Sequence, residues 1–520
     1  MSRSFDVRGV VEGFYGTPWS HAARLDALTF LAARGGNAYV YAPKDDAKHR
    51  ADWRTPYNAT ELTQFMELAE VAAANGIRFG FAISPGLDIM YESDKDRATL
   101  MAKLEPLRAA NVDWVLLLVD DIPMQPGLAP RQGALATWLH AELGVGALTV
   151  CPTEYVGTRP SPYLGELGAS LPPEVDVMWT GPTVCSPKLH VADAQAWVSA
   201  LGGRRVIVWD NYPVNDALMT RSLHLGPYAG RDADLCDVVS GVLCNPMTQA
   251  YASMVPLATA MDFLRDPDAY DAPASWARAI DDVGGERSNA LAVLARACAD
   301  SPIAEPDTLD LMQRVDALED ELDGPGWVDA VSDVATELRA ARELHNVFAS
   351  DDSLAGEVAP WTFGCRIEAE AGLAALRLIE QCRPVATLGE DGRGHLASPD
   401  PERAMHNAFA VLYVWSGARA DEKVVYGPRF AIYTPVIQLA DGAPALDAAA
   451  AVREDANVID RLCRLALATY DDWRERGAGM PVRVLVDGEE RSVDADGSFD
   501  GRGGMALLRQ GPLCTRVRLS

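Results

Sequence analysis

Basic residues are in short supply in this chain of 520 residues. Lys and Arg number 46 against 74 Asp and Glu, which leaves a formal charge of −28. Neutralising a phosphate backbone or an anionic lipid surface needs the opposite balance, so nucleic acid and membrane are excluded as partners and the acidity is read as solubility. Long apolar runs are missing too: no stretch approaches the ~18 uninterrupted apolar residues of a membrane-crossing helix. The start, MSRSFDVRGVVEGFYG, has no apolar leader with a small-residue cleavage site. The expectation is a cytoplasmic protein. The nine cysteines never take C-x-x-C spacing and sit in apolar segments such as TVCP and VLCNP, as buried reduced thiols do. The eight histidines show no H-E-x-x-H or facial-triad spacing, and no Walker-type glycine loop occurs. A zinc hydrolase and a nucleotide triphosphatase are thereby disfavoured, and neither metal nor cofactor is expected.

What is present is a rhythm. From residue 7 to about 265, short β-branched or aromatic runs end in polar or glycine-rich residues and are followed by longer amphipathic stretches, as in βα units around a parallel sheet. Eight strand candidates stand out, at 7–13, 37–43, 78–84, 114–121, 147–155, 176–181, 205–211 and 241–246. Eight strands in ~250 residues is the count of a (β/α)8 TIM barrel, an α/β fold. The rival, a doubly wound open sheet, normally carries G-x-G-x-x-G after its first strand, and EGFYGTPWS does not supply it. Between the strands, SHAARLDALTFLAARGG and TELTQFMELAEVAAANG have helical spacing and a glycine stop.

Past residue 265 the composition turns acidic and alanine-rich. The expected organisation is a catalytic barrel over 1–265, a helical bundle over 266–383, and an accessory region over 384–520 of mixed α and β character with a small β-rich tail. Within the last, 389–403 reads as a loop, NVIDRLCRLALATYDDWRER as a helix, and PVRVLVDGEERSVDADGSF as strands joined by a D-G turn.

A TIM barrel carries its chemistry at the C-terminal strand ends. Here these hold Glu12, Gly13, Lys44, Asp45, Asp46, Ser84, Asp120, Asp121, Glu154, Tyr155, Thr180, Gly181, Asp210, Asn211 and Asn245. Each alone is a cap or turn residue, but together they converge on one funnel. Carboxylates, amides, a lysine and a tyrosine, with Phe14, Trp179 and Trp209 nearby, suit a hydroxyl-rich ligand with weakly apolar ring faces, a sugar. Two adjacent aspartates in VLLLVDDIPM repel each other, and capping a strand end needs only one. Two flanking carboxyls ~5–9.5 Å apart are the usual glycosidase arrangement, and neighbours on one strand end fit that poorly. They fit a substrate-assisted variant, where a 2-acetamido group attacks the anomeric carbon, one carboxylate orients the amide and its neighbour exchanges the proton.

The segments GVVEGFYGTPWS, NAYVYAPKDDAKHRADWR, FAISPGLDI, LLLVDDI, CPTEYVGT, MWTGPTVCS, VWDNYPVNDALMTRSLHLGPYAGR and GVLCNPM resemble, in order and spacing, the barrel of glycoside hydrolase family 84, the O-GlcNAcase-like β-N-acetylglucosaminidases. The resemblance covers residues 7–265. It implies a retaining hydrolase working through an oxazoline. Asp120 would hold and polarise the acetamide, and Asp121 would be the general acid/base. Gly13 and Lys44 would bind hydroxyls or the amide region, Tyr155 would hydrogen-bond near the anomeric centre, and Trp209 would wall the acetamide pocket. Asn211, Asp216 and Asn245 would hold the remaining hydroxyls and the acetamide. A GlcNAc-containing glycoside or glycoprotein would be the partner, and the C-terminal helices would frame an aglycone groove or a homodimer contact. Pro123 in DDIP and the Tyr-Pro-Val of NYPVND depart from the family pattern. A non-catalytic GlcNAc-binding barrel, a hyaluronidase-like activity on longer glycosaminoglycans, and a Schiff-base lyase using Lys44 are the alternatives.

Overall fold

The computed structural model describes residues 3–518 apart from 145, 147, 305–309, 323, 325, 398–399, 419–422, 424, 427–436, 441–442, 447–457, 502–504 and 512. They form two compact units, one of residues up to 288 with 299–305, the other of 289–298 and 306 onward.

The first unit is the barrel. Strands β1 (Val7–Glu12), β2 (Ala38–Tyr41), β3 (Arg78–Ile83), β4 (Trp114–Leu118), β5 (Leu148–Cys151), β6 (Asp176–Trp179), β7 (Val206–Asp210) and β8 (Gly241–Cys244) pair in chain order. The barrel closes where Val7 to Val10 run parallel to Gly241 to Cys244. All eight expected strands exist, and each stops short of the end read from the sequence, because the polar residues after the last ladder bond already belong to loops. Successive side chains on a strand face opposite ways. Accordingly one buried cluster is built almost wholly of alternate strand residues, Val11, Val40, Leu116, Leu118, Cys151, Met178, Ile207, Trp209 and Leu243 among them, and fills the barrel. Their sequence neighbours Val10, Tyr39, Tyr41, Phe81, Leu117, Val150, Val208 and Val242 pack outward with the helix residues.

The helices start where the sequence places caps. Ser20 caps His21–Ala33, and Asn58 with Glu61 forms a reciprocal capping box at Ala59–Ala74. Polar residues on the outward side of a strand are buried and need partners. Glu12, fully buried, accepts from Arg24 Nε at 2.7 Å and Nη2 at 2.8 Å, from Tyr39 Oη at 2.6 Å and from the Trp19 amide at 3.1 Å. Asp210 is held likewise by Arg231 at 2.7 and 2.8 Å and by Tyr228 Oη at 2.6 Å.

The second unit holds helices Asp310–Glu321, Trp327–Val347, Ser353–Gln381, Pro401–Ala418 and Val458–Asp472, with antiparallel sheets near its end. Strands Arg483–Val486 and Glu489–Arg491 join through Asp487 and Gly488, both at positive φ, as a D-G hairpin requires. The segment 389–403 departs from the loop expectation: Gly394–Leu396 is a strand between Ala386–Leu388 and Ser498–Phe499, and Pro401 opens a helix. One of its partners lies more than a hundred residues away, which local glycine and proline density cannot reveal.

Arg24→Met would strand the Glu12 carboxylate in the core. The expected cost is about 3–5 kcal/mol, read as a lowered denaturation midpoint, and an unchanged midpoint would show that Glu12 does not need its partner.

Candidate active site

At the C-terminal mouth of the barrel lies a cavity of about 180 Å³ lined by Gly13, Lys44, Asp120, Asp121, Tyr155, Trp209, Asn211, Asp216 and Asn245, together with Tyr15, Cys151, Thr180, Val184 and Cys185 among others. All nine residues to which the family resemblance gives a role therefore meet at one place, whereas Glu12, Asp45, Asp46, Ser84, Glu154, Gly181 and Asp210, also expected at the funnel, do not line it. The cavity is of small-molecule scale and opens to solvent at the barrel mouth.

Strand alternation decides who arrives. Gly13, Lys44, Asp120, Thr180, Asn211 and Asn245 each continue the inward series of their strand, two residues beyond Val11, Ala42, Leu118, Met178, Trp209 and Leu243. Glu12 and Asp210 fall on the outward series and serve the buried ion pairs described above. Glu154 accepts from Ser161, and Asp46 accepts from the hydroxyls of Tyr41 at 2.8 Å and Tyr57 at 2.7 Å. Of the aromatic residues expected near the funnel, Trp209 lines it. Trp179 instead stacks outside on Trp197, centroids 6.0 Å apart, and Phe14 packs against Trp19.

Asp120, 5% exposed, accepts from Lys44 Nζ through Oδ2, while its Oδ1 is buried with no hydrogen-bond partner among the described residues. Asp121 has φ +51°, a left-handed conformation uncommon outside glycine, and its carboxylate opens further toward solvent. Its Oδ1 accepts from Tyr155 Oη at 2.8 Å and its Oδ2 from Tyr15 Oη at 2.8 Å, with Lys44 Nζ and Arg50 Nη1 each 3.9 Å away. Burial pushes the Asp121 carboxyl upward, but Lys44, the two phenols and Arg50 outweigh it and hold the group below the usual carboxylate range. Burial and the Asp121 charge raise both Tyr15 and Tyr155, so these phenols stay protonated donors. Asp216, raised by burial, accepts from the Tyr15 amide at 2.8 Å.

On the opposite wall, Trp209 Nε1 and Asn245 Nδ2 both donate to Asn211 Oδ1, at 3.0 and 2.9 Å. Asn245 Oδ1 accepts from the Gly13 amide at 3.1 Å, and Asn211 Nδ2 donates to the Val184 carbonyl at 2.8 Å. Each amide nitrogen retains a second N–H. A Cβ on Gly13 would lie 2.2 Å from Trp209 Cζ2, so the indole needs a glycine there. Lys44 Nζ stands 5.6 Å from the Trp209 ring centre, within cation–π range. That Nζ is engaged by Asp120, which speaks against a Schiff-base lyase. Among the described residues, no group of three or more His, Cys, Asp and Glu could hold a metal ion.

The family described as beta-N-acetylglucosaminidase, NAGidase, matches residues 8–296, more than half of the chain. The chain belongs to the β-N-acetylglucosaminidase family. Within it the chain is similar to Protein O-GlcNAcase of Rattus norvegicus and of Mus musculus, 38% identical to each over 268 residues. That stretch is 48% of this chain and 29% of each relative, so the chain spans under a third of the length of the curated proteins it matches. Among solved structures, a Thermobaculum terrenum O-GlcNAc hydrolase mutant superposes with TM-score 0.75 at 27% identity, over 91% of this chain and 97% of that one. CpGH84B superposes with TM-score 0.71 at 28% identity, over 82% and 75%. These findings agree with the family 84 resemblance of the motifs.

Two residues in this NAGidase site escaped the sequence reading. Tyr15 lies two residues past Gly13 inside EGFYG, and Arg50 closes the charged run KDDAKHR; neither ends a strand. Arg50 donates from Nη1 to Tyr15 Oη at 2.5 Å and from Nη2 to the Asp121 carbonyl at 3.3 Å. Buried His49 beside it is pushed down to about 3 by desolvation and by the Lys44 charge, so it stays neutral.

Gly13→Ala is expected to destabilise by about 1–3 kcal/mol through overpacking. In a Trp209→Ala background that penalty should vanish, and a penalty of equal size in both backgrounds would show that the indole is not what the glycine accommodates.

Proposed function

We propose that the protein is a retaining exo-β-N-acetylglucosaminidase that removes terminal β-linked GlcNAc, protein Ser/Thr-linked GlcNAc included, by substrate-assisted catalysis through an oxazoline. One observation carries the reading: a buried Asp120 with one oxygen on Lys44 and the other without a partner among the described residues, next to an Asp121 held by two phenols, in a cavity of small-molecule scale. A flanking pair would need a carboxyl across the ring. Asp216, the third carboxyl lining the cavity, is instead engaged by the Tyr15 amide at 2.8 Å.

The acetamide N–H donates to Asp120 Oδ1, the acceptor left open. This turns the amide oxygen toward C1 and supports the positive charge that grows on nitrogen. The amide oxygen forms a bond to C1 as the glycosidic C1–O bond breaks, its electron pair going to the leaving oxygen, which takes the proton of Asp121. Asp121, now a carboxylate, removes a proton from water as that water attacks C1 and reopens the ring to the acetamide. The sum is glycoside plus water giving GlcNAc and the free alcohol. Lys44 holds Asp120 in position, and Trp209 walls the acetamide methyl. Asn211, Asp216 and Asn245 meet the hydroxyls.

Among the described residues no helix is long and apolar enough to cross a membrane. A cytoplasmic setting is our reading of cysteines set in apolar segments, six of them buried. Pairing of two copies is the arrangement that the family resemblance suggests.

Asp121→Ala is expected to slow GlcNAc glycosides with poor leaving groups by on the order of 10²–10⁴ and activated nitrophenyl glycosides far less. Equal losses would contradict the acid role, and no nitrophenol release from the unaltered enzyme would leave a sugar-binding barrel. Asp120→Asn should slow the first step whatever the leaving group. Successive fluorination of the N-acyl methyl should depress kcat/KM steeply, whereas a flat response would point to a protein nucleophile.

A further inference from the structure

The site holds a directional constraint that the roles above do not use. Arginine has N–H donors and no acceptor. Arg50 Nη1 therefore donates to Tyr15 Oη, and the single phenolic proton of Tyr15 must point the other way, to Asp121 Oδ2. Oδ2 is thus a fixed acceptor. Tyr155 differs: among the described residues its hydroxyl bonds only Asp121 Oδ1, so it can donate to the carboxylate or turn and accept from the acid. Arg50 also holds the Asp121 carbonyl at 3.3 Å, pinning the left-handed backbone that aims the carboxyl. It is 8% exposed, and it ties the loops after β1, β2 and β4 together.

We propose that Arg50 is a positioning residue for the proton transfer: acting through Tyr15, it reserves Asp121 Oδ2 as acceptor, so that the proton given to the leaving oxygen sits on Oδ1. In that step the Oδ1–H bond breaks and an O–H bond forms on the departing alcohol, which receives the C1–O electron pair. In the return step water restores the proton to Oδ1, with Tyr155 as the hydroxyl that changes direction. The inference rests on the acid/base role proposed for Asp121.

The groups that face Asp121 are Tyr15 after β1, Lys44 and Arg50 after β2, Asp120 on its own loop, Cys151 ending β5, Tyr155 after β5, and Asp216 after β7. Of these, Arg50 and Tyr15 favour the carboxylate without contacting the acetamide-binding Asp120, so their removal should raise the pH at which Asp121 loses its acid proton. That proton is required for the first step and sets the alkaline limb of kcat/KM. With a GlcNAc glycoside of a poor leaving group, Arg50→Met and Tyr15→Phe should each move that limb upward by about one pH unit. Arg50→Lys, still a cation that only donates, should leave it at the wild-type position.

A residue that merely braces the loops would lower the rate and leave the limb in place. An unmoved limb in both Arg50→Met and Tyr15→Phe, or an equal shift in Arg50→Lys and Arg50→Met, overturns the inference. Tyr15→Phe removes a single oxygen and decides the matter if Arg50→Met does not fold. A wild-type enzyme that releases no GlcNAc brings down the proposed function and this inference together. A turning-over wild type with unmoved variants brings down the inference alone.

Discussion

A side chain on a closed barrel strand has two directions available, into the lumen or out toward the helices, and the chain cannot change its choice without breaking the ladder. The rest of the molecule follows from that constraint. Val11 and Gly13 point in while Val10 and Glu12 point out, and the same partition separates Trp209 and Asn211 from Val208 and Asp210. One strand end can therefore supply a carboxylate to a buried structural ion pair and, one residue later, a group to the cavity. Asp121 escapes the partition only because the strand has ended at Leu118 and its own backbone is left-handed, which brings a second carboxylate to the side that Asp120 already occupies.

Two neighbouring acids create an electrostatic problem, and the surroundings resolve it asymmetrically. Asp120 is nearly dry and takes an ammonium directly; Asp121 is wetter and takes two phenols, with the same ammonium and a guanidinium at 3.9 Å. A lysine shared in this way offsets the repulsion between the two carboxylates and helps hold Asp121 below the usual carboxylate range. Under the proposed mechanism, a sugar that occupies the Asp120 acceptor and brings a leaving oxygen to Asp121 would alter that balance where the chemistry needs it.

Much of this was legible in the residues. Eight β-branched runs with polar ends led to the barrel, and the adjacent aspartates of VLLLVDDIPM led to the cavity. What stayed hidden was non-local. The sequence reading took every polar strand end as a candidate and so placed Glu12 and Asp210 beside Gly13 and Asn211; applying the period of two within each strand would have set them apart. Tyr15 and Arg50 have no such signal, since they lie on loops whose path is fixed by contacts with other loops. The strand at Gly394–Leu396 was missed for a related reason, its partner Ser498–Phe499 lying far along the chain.

The loop from Lys44 to Tyr57 is secured at many points: Asp46 by Tyr41, Tyr57 and the Lys48 amide, His49 by the Ala82 carbonyl and the Ser84 amide, Trp53 by Asp88, and Arg54 by Asp88 and Asp96. Both cations near the aspartates, Lys44 and Arg50, ride on it. Their ordering entropy is spent when the chain folds, so a ligand meets a preorganised charge lattice and need not immobilise that wall for itself. Selectivity among ligands is then a matter of fit to a rigid template, and inhibitors that mimic a charged, flattened ring should gain affinity through slow departure more than through fast arrival.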